Sequence, residues 1–289
     1  MERCQAALGL WRELEADTAT RLLTTTTSID HGSSHEVADV AAALSAAGAP
    51  HEVLTPPAAS ERYPGMGFEG TVIVQPDGGR IDPEAAIAAC QRRIVELGGE
   101  VRHGLQVTAI APRVGGVELR SDEDAISANV AIVAAGAWTT SLLGGLMPLP
   151  QLTVTREQYL HLQPRSNVDW WPSVVHRPSS GPQVYSVLTP GEGVKLAEHH
   201  TGPVVDPEEP SPGPHPAGVD RVLAYARRWM PLLDTGRWTA ATCLYTTTPT
   251  KSFVIERHGD IVVGSACSGH GAKFMPLVGK WLADLAEPH

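Results

Sequence analysis

Thr242-Cys243-Leu244-Tyr245-Thr246 opens a run that closes in Ser268-Gly269-His270-Gly271-Ala272-Lys273-Phe274. Between the two lie segments 253–256 and 261–265, both with strand composition, and a helix is expected from about 273 to 285. A glycine-rich turn therefore leads from a buried strand into a helix N-terminus. Such a terminus presents unpaired backbone N–H groups and a partial positive charge, which suit an anionic group or ring edge. Many helices begin after glycine, so a plain turn stands beside that reading.

Working outward, Ala7, Leu8, Leu10, Trp11, Leu14 and Ala19 recur at helical spacing over 5–23. A threonine run, 24–27, reads as a strand. Residues 34–47 form a second helix with Val37, Val40, Ala41 and Leu44 on one face and Gly48 closing it, and 51–54 form a short strand. Asp82-Pro83-Glu84 carries a cap, a first-turn proline and an acidic residue suited to the dipole, and it opens a helix that Gly98-Gly99 ends. Strands follow at 100–102, 107–111, 117–120 and 130–133, and Ala134-Ala135-Gly136-Ala137-Trp138 is a strand-to-helix turn. From 152 to 243 the alternation is that of an antiparallel sheet, as at 184–188 and 194–197, with a Pro-rich acidic loop at 203–216 and a helix near 219–229. On the strand at 194–197, Lys195 points opposite to Val194 and Leu196. That alternation alone leaves open whether Lys195 faces a pocket or solvent.

Gly65-Met66-Gly67-Phe68-Glu69-Gly70 has the letters of a dinucleotide-binding fingerprint without its context. Tyr63-Pro64 precedes it and a strand at 71–74 follows, where the fingerprint needs a strand before and a helix after. It reads as a turn.

The 289 residues carry a formal net charge of -10 with no basic run, which argues against nucleic acid and against a membrane surface. No apolar stretch reaches membrane-spanning length, and residues 1–4 lead into an amphipathic pattern, so a cytoplasmic location is expected. Cys4, Cys90, Cys243 and Cys267 match neither zinc-site nor disulfide spacing. Cys4, Cys90 and Cys267 read as small buried hydrophobes, and no metal is expected.

Cys243-Leu244-Tyr245-Thr246, the Ser268–Phe274 run and Ala135-Gly136-Ala137-Trp138 resemble the monomeric sarcosine oxidase and N-methyltryptophan oxidase family. Gly193-Val194-Lys195-Leu196 with His199 resembles its central-sheet motif, and the matches keep the family's order over nearly the whole chain. The resemblance implies an α/β plus α+β fold, with an incomplete Rossmann-type FAD-binding domain (1–23, 80–150, 250–289) and a substrate domain on a mainly antiparallel sheet (24–79, 151–249). It implies FAD, attached through a thioether at Cys243, whose charged reduced ring edge would suit the helix N-terminus at the glycine turn. Lys195 matches the lysine near flavin N5 that promotes reaction with oxygen, and Lys273 matches the lysine that binds the substrate carboxylate. His199 and His270 match active-site histidines, and Tyr245 and Tyr185 match aromatic pocket walls. Val107 would lie near the adenosine, while Gly136, Ala137, Trp138, Ser268, Gly269 and Gly271 would line the cofactor. The implied activity oxidises an N-alkyl amino acid such as sarcosine to an imine, with oxygen reduced to hydrogen peroxide. Pipecolate and N-methyltryptophan are alternative substrates.

The sequence also departs from the family. A strand, a G-x-G-x-x-G turn and a helix should precede residue 5, and two arginines, one for the substrate carboxylate and one near the flavin, are expected in the same stretch. Ala272 stands where an aromatic residue is usual. The expectations are therefore a misplaced start or fragment, a partner chain that supplies the first unit, or a non-catalytic remnant that binds no FAD.

Overall fold

The computed structural model describes residues 2–33, 35–122, 124–265 and 268–287. The readings that touch Ser34 and Cys267 lie outside them. In chain order the first part contains α1 (Glu2–Thr18), β1 (Leu23–Thr25), β2 (Ser28–Gly32), α2 (His35–Ala46), β3 (Glu52–Leu54), α3 (Pro56–Arg62), β4 (Thr71–Gln75), β5 (Gly79–Ile81) and α4 (Pro83–Glu96). Then come β6 (Ala109–Arg113), β7 (Gly116–Arg120), β8 (Ala125–Ala128), β9 (Ala131–Val133) and α5 (Thr139–Leu143). The last part holds β10 (Thr153–Pro164), β11 (Ser173–His176), β12 (Val184–Thr189), β13 (Gly193–Glu198), α6 (Pro216–Trp229), β14 (Leu233–Thr247), β15 (Val254–His258), β16 (Ile261–Ser265) and α7 (Met275–Ala286).

An eight-stranded sheet in the order β14-β10-β13-β12-β11-β2-β4-β3 dominates. All of its pairs are antiparallel except β11 with β2. Alternation sorts its residues. Leu160, Leu162, Val194, Leu196, Val184 and Leu188 turn to one face and bury against Val219, Val222, Leu223 and Ala226 of α6. At roughly 1.5–3 kcal/mol per fully buried aliphatic side chain, this layer dominates the stability of the sheet. Arg221 ties α6 to β13 by donating to both carboxylate oxygens of Glu198. The opposite face is covered at the β4 end by α2, through Val37, Leu44 and Ile73. At the β10–β13–β14 end it carries polar and aromatic side chains.

A second sheet has the order β15-β16-β9, with β16 parallel to β9 and antiparallel to β15. Val133, Ile261 and Val263 pack there against Leu143 and Met147. The other edge of β9 has no hydrogen-bonded strand among the described residues, and Ile132 is exposed. The sheet β6-β7-β8 and the pair β1–β5 complete the chain. The fold is thus mixed α/β with mostly antiparallel sheet. No helix among the described residues is long and apolar enough to cross a membrane.

Several local readings hold. Asp82 caps α4 by accepting from the Ala85 N–H at 3.0 Å, Pro83 takes the first turn, and Gly98 follows with φ 84. The Gly65–Gly70 run is a turn leading into β4, and its Gly67 N–H donates to Trp229 O at the end of α6. Other readings are corrected. Residues 100–102 form no strand, because a strand needs a neighbour for its backbone groups and none of the described strands runs beside them. The strand expected at 107–111 lies at Ala109–Arg113, set by pairing with β7. The helix α3, capped by Thr55, and the strands β2, β5, β8 and β11 were not expected from periodicity. Cys4 is exposed and Cys90 is half-buried, so neither is a fully buried hydrophobe.

Candidate active site

The polar face of the large sheet collects the residues singled out from sequence. Lys195 of β13 lies opposite His161 of β10, and Cys243 of β14 lies opposite Glu157 of β10. Lys195 and Cys243 therefore point to the same side, where Cys243 favours the charged amine. They are not on neighbouring strands: β10 runs between β13 and β14. Cys243 is half-buried. Lys195 is half-buried, and its pKa is lowered because burial penalises the ammonium.

Tyr185 and Tyr245 share a hydrogen bond on this face. Burial pushes Tyr185 up to about 12 and raises Tyr245 further, so both stay protonated at neutral pH. The Tyr245 hydroxyl lies 3.4 Å from Nδ1 of His199, which follows β13 directly. Burial, with His200 beside it, lowers His199 to about 4, so its ring is neutral at pH 7. Tyr185, Tyr245 and His199 thus make an uncharged aromatic wall.

The glycine turn closes against that wall. The Ser268 N–H donates to Thr246 O at 2.9 Å, which fixes the turn to β14. Gly269 has φ 72 and sits under Tyr245 and His199, where any Cβ would collide with both rings. Phe253 stacks on His270, whose Nε2 meets Lys251 O at 3.1 Å. Gly271 then caps a 3-10 turn, Ala272–Phe274, that runs into α7. The Lys273 ammonium donates to His270 O at 2.8 Å, and the Lys273 carbonyl accepts from Trp11 Nε1 at 2.9 Å, so α1 holds this turn in place. A cavity of about 950 Å³, lined in part by Lys273, His270, Phe253 and Phe274, opens beside it.

Gly136, Ala137 and Trp138 form a 3-10 turn after β9 that packs on β14, with Ala137 buried and Trp138 exposed. Val107 lies apart from the sheet face, in the cluster that holds Ala135 behind β9. The fold therefore gathers Lys195, Cys243, Tyr185, Tyr245, His199, Ser268, Gly269, His270, Gly271 and Lys273 around one corner, and sets Val107 at a distance on the β9 side.

Three site residues were missed. Tyr159 lies under Lys195. His161 sits beside it, with Nδ1 3.0 Å from Glu192 Oε2. Glu157, 2% exposed, accepts from the Thr201 and Gly202 N–H groups and from Thr155 Oγ1. Alternation along 153–164 put all three on one face; what was lacking was the register that turns that face toward Lys195.

The family model DAO, described as FAD dependent oxidoreductase, matches residues 1–285. The monomeric sarcosine oxidase of Streptomyces avermitilis is 31% identical over 82% of this chain, which spans 65% of that enzyme's length. The human peroxisomal sarcosine oxidase is 30% identical over 96% of this chain and 75% of its own length. Among solved structures, NikD, described as an unusual amino acid oxidase essential for nikkomycin biosynthesis, superposes with TM-score 0.86 at 25% identity, covering 99% of this chain and 79% of that one.

Proposed function

Because the chain belongs to the DAO family of FAD dependent oxidoreductases, we propose that it serves as an FAD-dependent oxidase of secondary amines, acting on N-methyl amino acids of the sarcosine type. An imine and hydrogen peroxide are the products. The observation that carries this reading is the convergence of Lys195, Cys243 and the Ser268–Lys273 turn on one aromatic-walled corner.

These residues fit the ring of FAD. A planar ring finds aromatic walls in Tyr185 and Tyr245, an ammonium in Lys195, a thiol in Cys243 and backbone N–H groups in the turn before α7. When bound, the flavin would take up the two electrons of the amine and pass them to oxygen. Lys195 would place a positive charge where reduced oxygen species develop. Lys273 would bind the substrate carboxylate once its ammonium swings from His270 O. His199, neutral at pH 7, adds no second positive charge beside the amine. Val107 would lie near the adenosine, and Gly136, Ala137 and Trp138 would line the cofactor. The substrate must enter with its nitrogen deprotonated, since an ammonium cannot expel hydride equivalents. Pipecolate and N-methyltryptophan are alternatives within the class.

No strand–G-x-G-x-x-G–helix cradle for the pyrophosphate of FAD lies among the described residues. A further segment that pairs along the open edge of β9 would reconcile the cradle with the oxidase reading. The test is an absorption spectrum of the purified protein after incubation with FAD and gel filtration. A flavin band that survives denaturation, and is lost in Cys243→Ser, supports the oxidase. A colourless protein, with and without a co-expressed strand–turn–helix segment, overturns it.

A further inference from the structure

On β10, His161 pairs with Lys195 and Glu157 pairs with Cys243, so Tyr159 is the residue between them that faces the same side. Its ring lies beneath the lysine, with Nζ 3.8 Å from the ring centroid. We propose that Tyr159 is a positioning residue for Lys195, its π-face holding the ammonium in place and in its charged form at the centre of the site. The consequence for oxygen chemistry rests on the function proposed above; the positioning does not.

A half-buried ammonium loses hydration and must find compensation. The groups that face Lys195 are Tyr159 and His161 on β10, Cys243 on β14 and Glu192 in the turn before β13. Glu192 is engaged by His161, and among the described residues Lys195 makes no ion pair of its own. The Tyr159 ring lies directly beneath it. A carboxylate in that place would anchor the amine and cancel its charge. An aromatic face attracts the charge through its quadrupole and accepts no proton, so the charge stays available above the sheet. Burial lowers the pKa of the amine, whereas a π-face beneath it favours the charged form.

The test is the titration of Lys195, read by trace acetylation across a pH series with mass spectrometry of its peptide, which requires no flavin. In Tyr159→Leu the midpoint is expected to fall by about one pH unit, and in Tyr159→Phe to stay at the wild-type value. Phenylalanine analogues with increasing ring fluorination, nearly constant in shape, should lower the midpoint stepwise and so keep the test independent of any folding defect in the leucine variant. A midpoint that is constant across the fluorinated series, or that falls as far in Tyr159→Phe as in Tyr159→Leu, overturns the proposal. In protein loaded with flavin, Tyr159→Leu should lower kcat/KM for oxygen several-fold while leaving kcat/KM for the amine in place. A shifted midpoint without that split upholds the positioning and removes oxygen activation by Lys195.

Discussion

Replacing Gly269 with alanine strikes the joint between the glycine turn and the aromatic wall. Gly269 has φ 72, a conformation that costs an L-residue about 1–2 kcal/mol. The added methyl also meets the Tyr245 ring and lies 2.7 Å from Cε1 of His199. Those rings are locked by the Tyr185 bond and by each other, so pushing them aside adds the cost of overpacking, about 1–3 kcal/mol. The expected total is about 2–5 kcal/mol. Gly98 supplies the control: its φ is 84 and nothing lies within 4 Å of a built Cβ, so Gly98→Ala should cost only the first term. Urea unfolding monitored by far-UV circular dichroism measures both. Equal losses in the two variants would refute the argument, because the rings would then offer no resistance at Gly269.

Acidification should expose the buried histidine pair. His31 and His176 stack at 4.1 Å, and burial holds His31 at about 3 in the folded state against an unfolded value near 6.5. Protons therefore bind the unfolded chain first, and stability falls as pH drops from 6.5 toward 3, by about 1.4 kcal/mol per unit for this one group. His31→Phe should flatten the pH dependence of the urea midpoint in that window; an unchanged slope would contradict it. Trp11→Phe removes the donor to Lys273 O; it should cost about 1 kcal/mol and raise KM for carboxylate substrates of the flavin-loaded protein with little change in kcat. Glu157→Ala leaves the part-buried N–H groups of Thr201 and Gly202 without their acceptor and should cost about 1–3 kcal/mol in the same urea assay.

Local chemistry was legible in the sequence and long-range register was not. The Asp82 cap, the glycine ends of α2 and α4, and the alternation around Lys195 depend on neighbours a few residues away, and each was read from letters alone. The strand order depends on pairing across the chain. The β10 interposed between Lys195 and Cys243 became visible only with the register Lys195–His161 and Cys243–Glu157. Tyr159 was overlooked for the same reason, since nothing within its own strand marks it as a lysine's neighbour. Residues 100–102 failed in the opposite sense: Val101 has strand propensity, but a strand exists only where another backbone accepts it. His31 and His176, 145 residues apart in sequence, likewise meet only because β11 pairs with β2 in parallel.

The most direct measurement of the central claim is labelling with 8-chloro-FAD, whose ring chlorine is displaced by an adjacent thiolate, followed by mass mapping of the modified peptide. The account predicts the label on Cys243, with slower labelling in Lys195→Met and none in Cys243→Ser. A label on Cys4 or Cys90, or a protein that takes up no label at all, would contradict it.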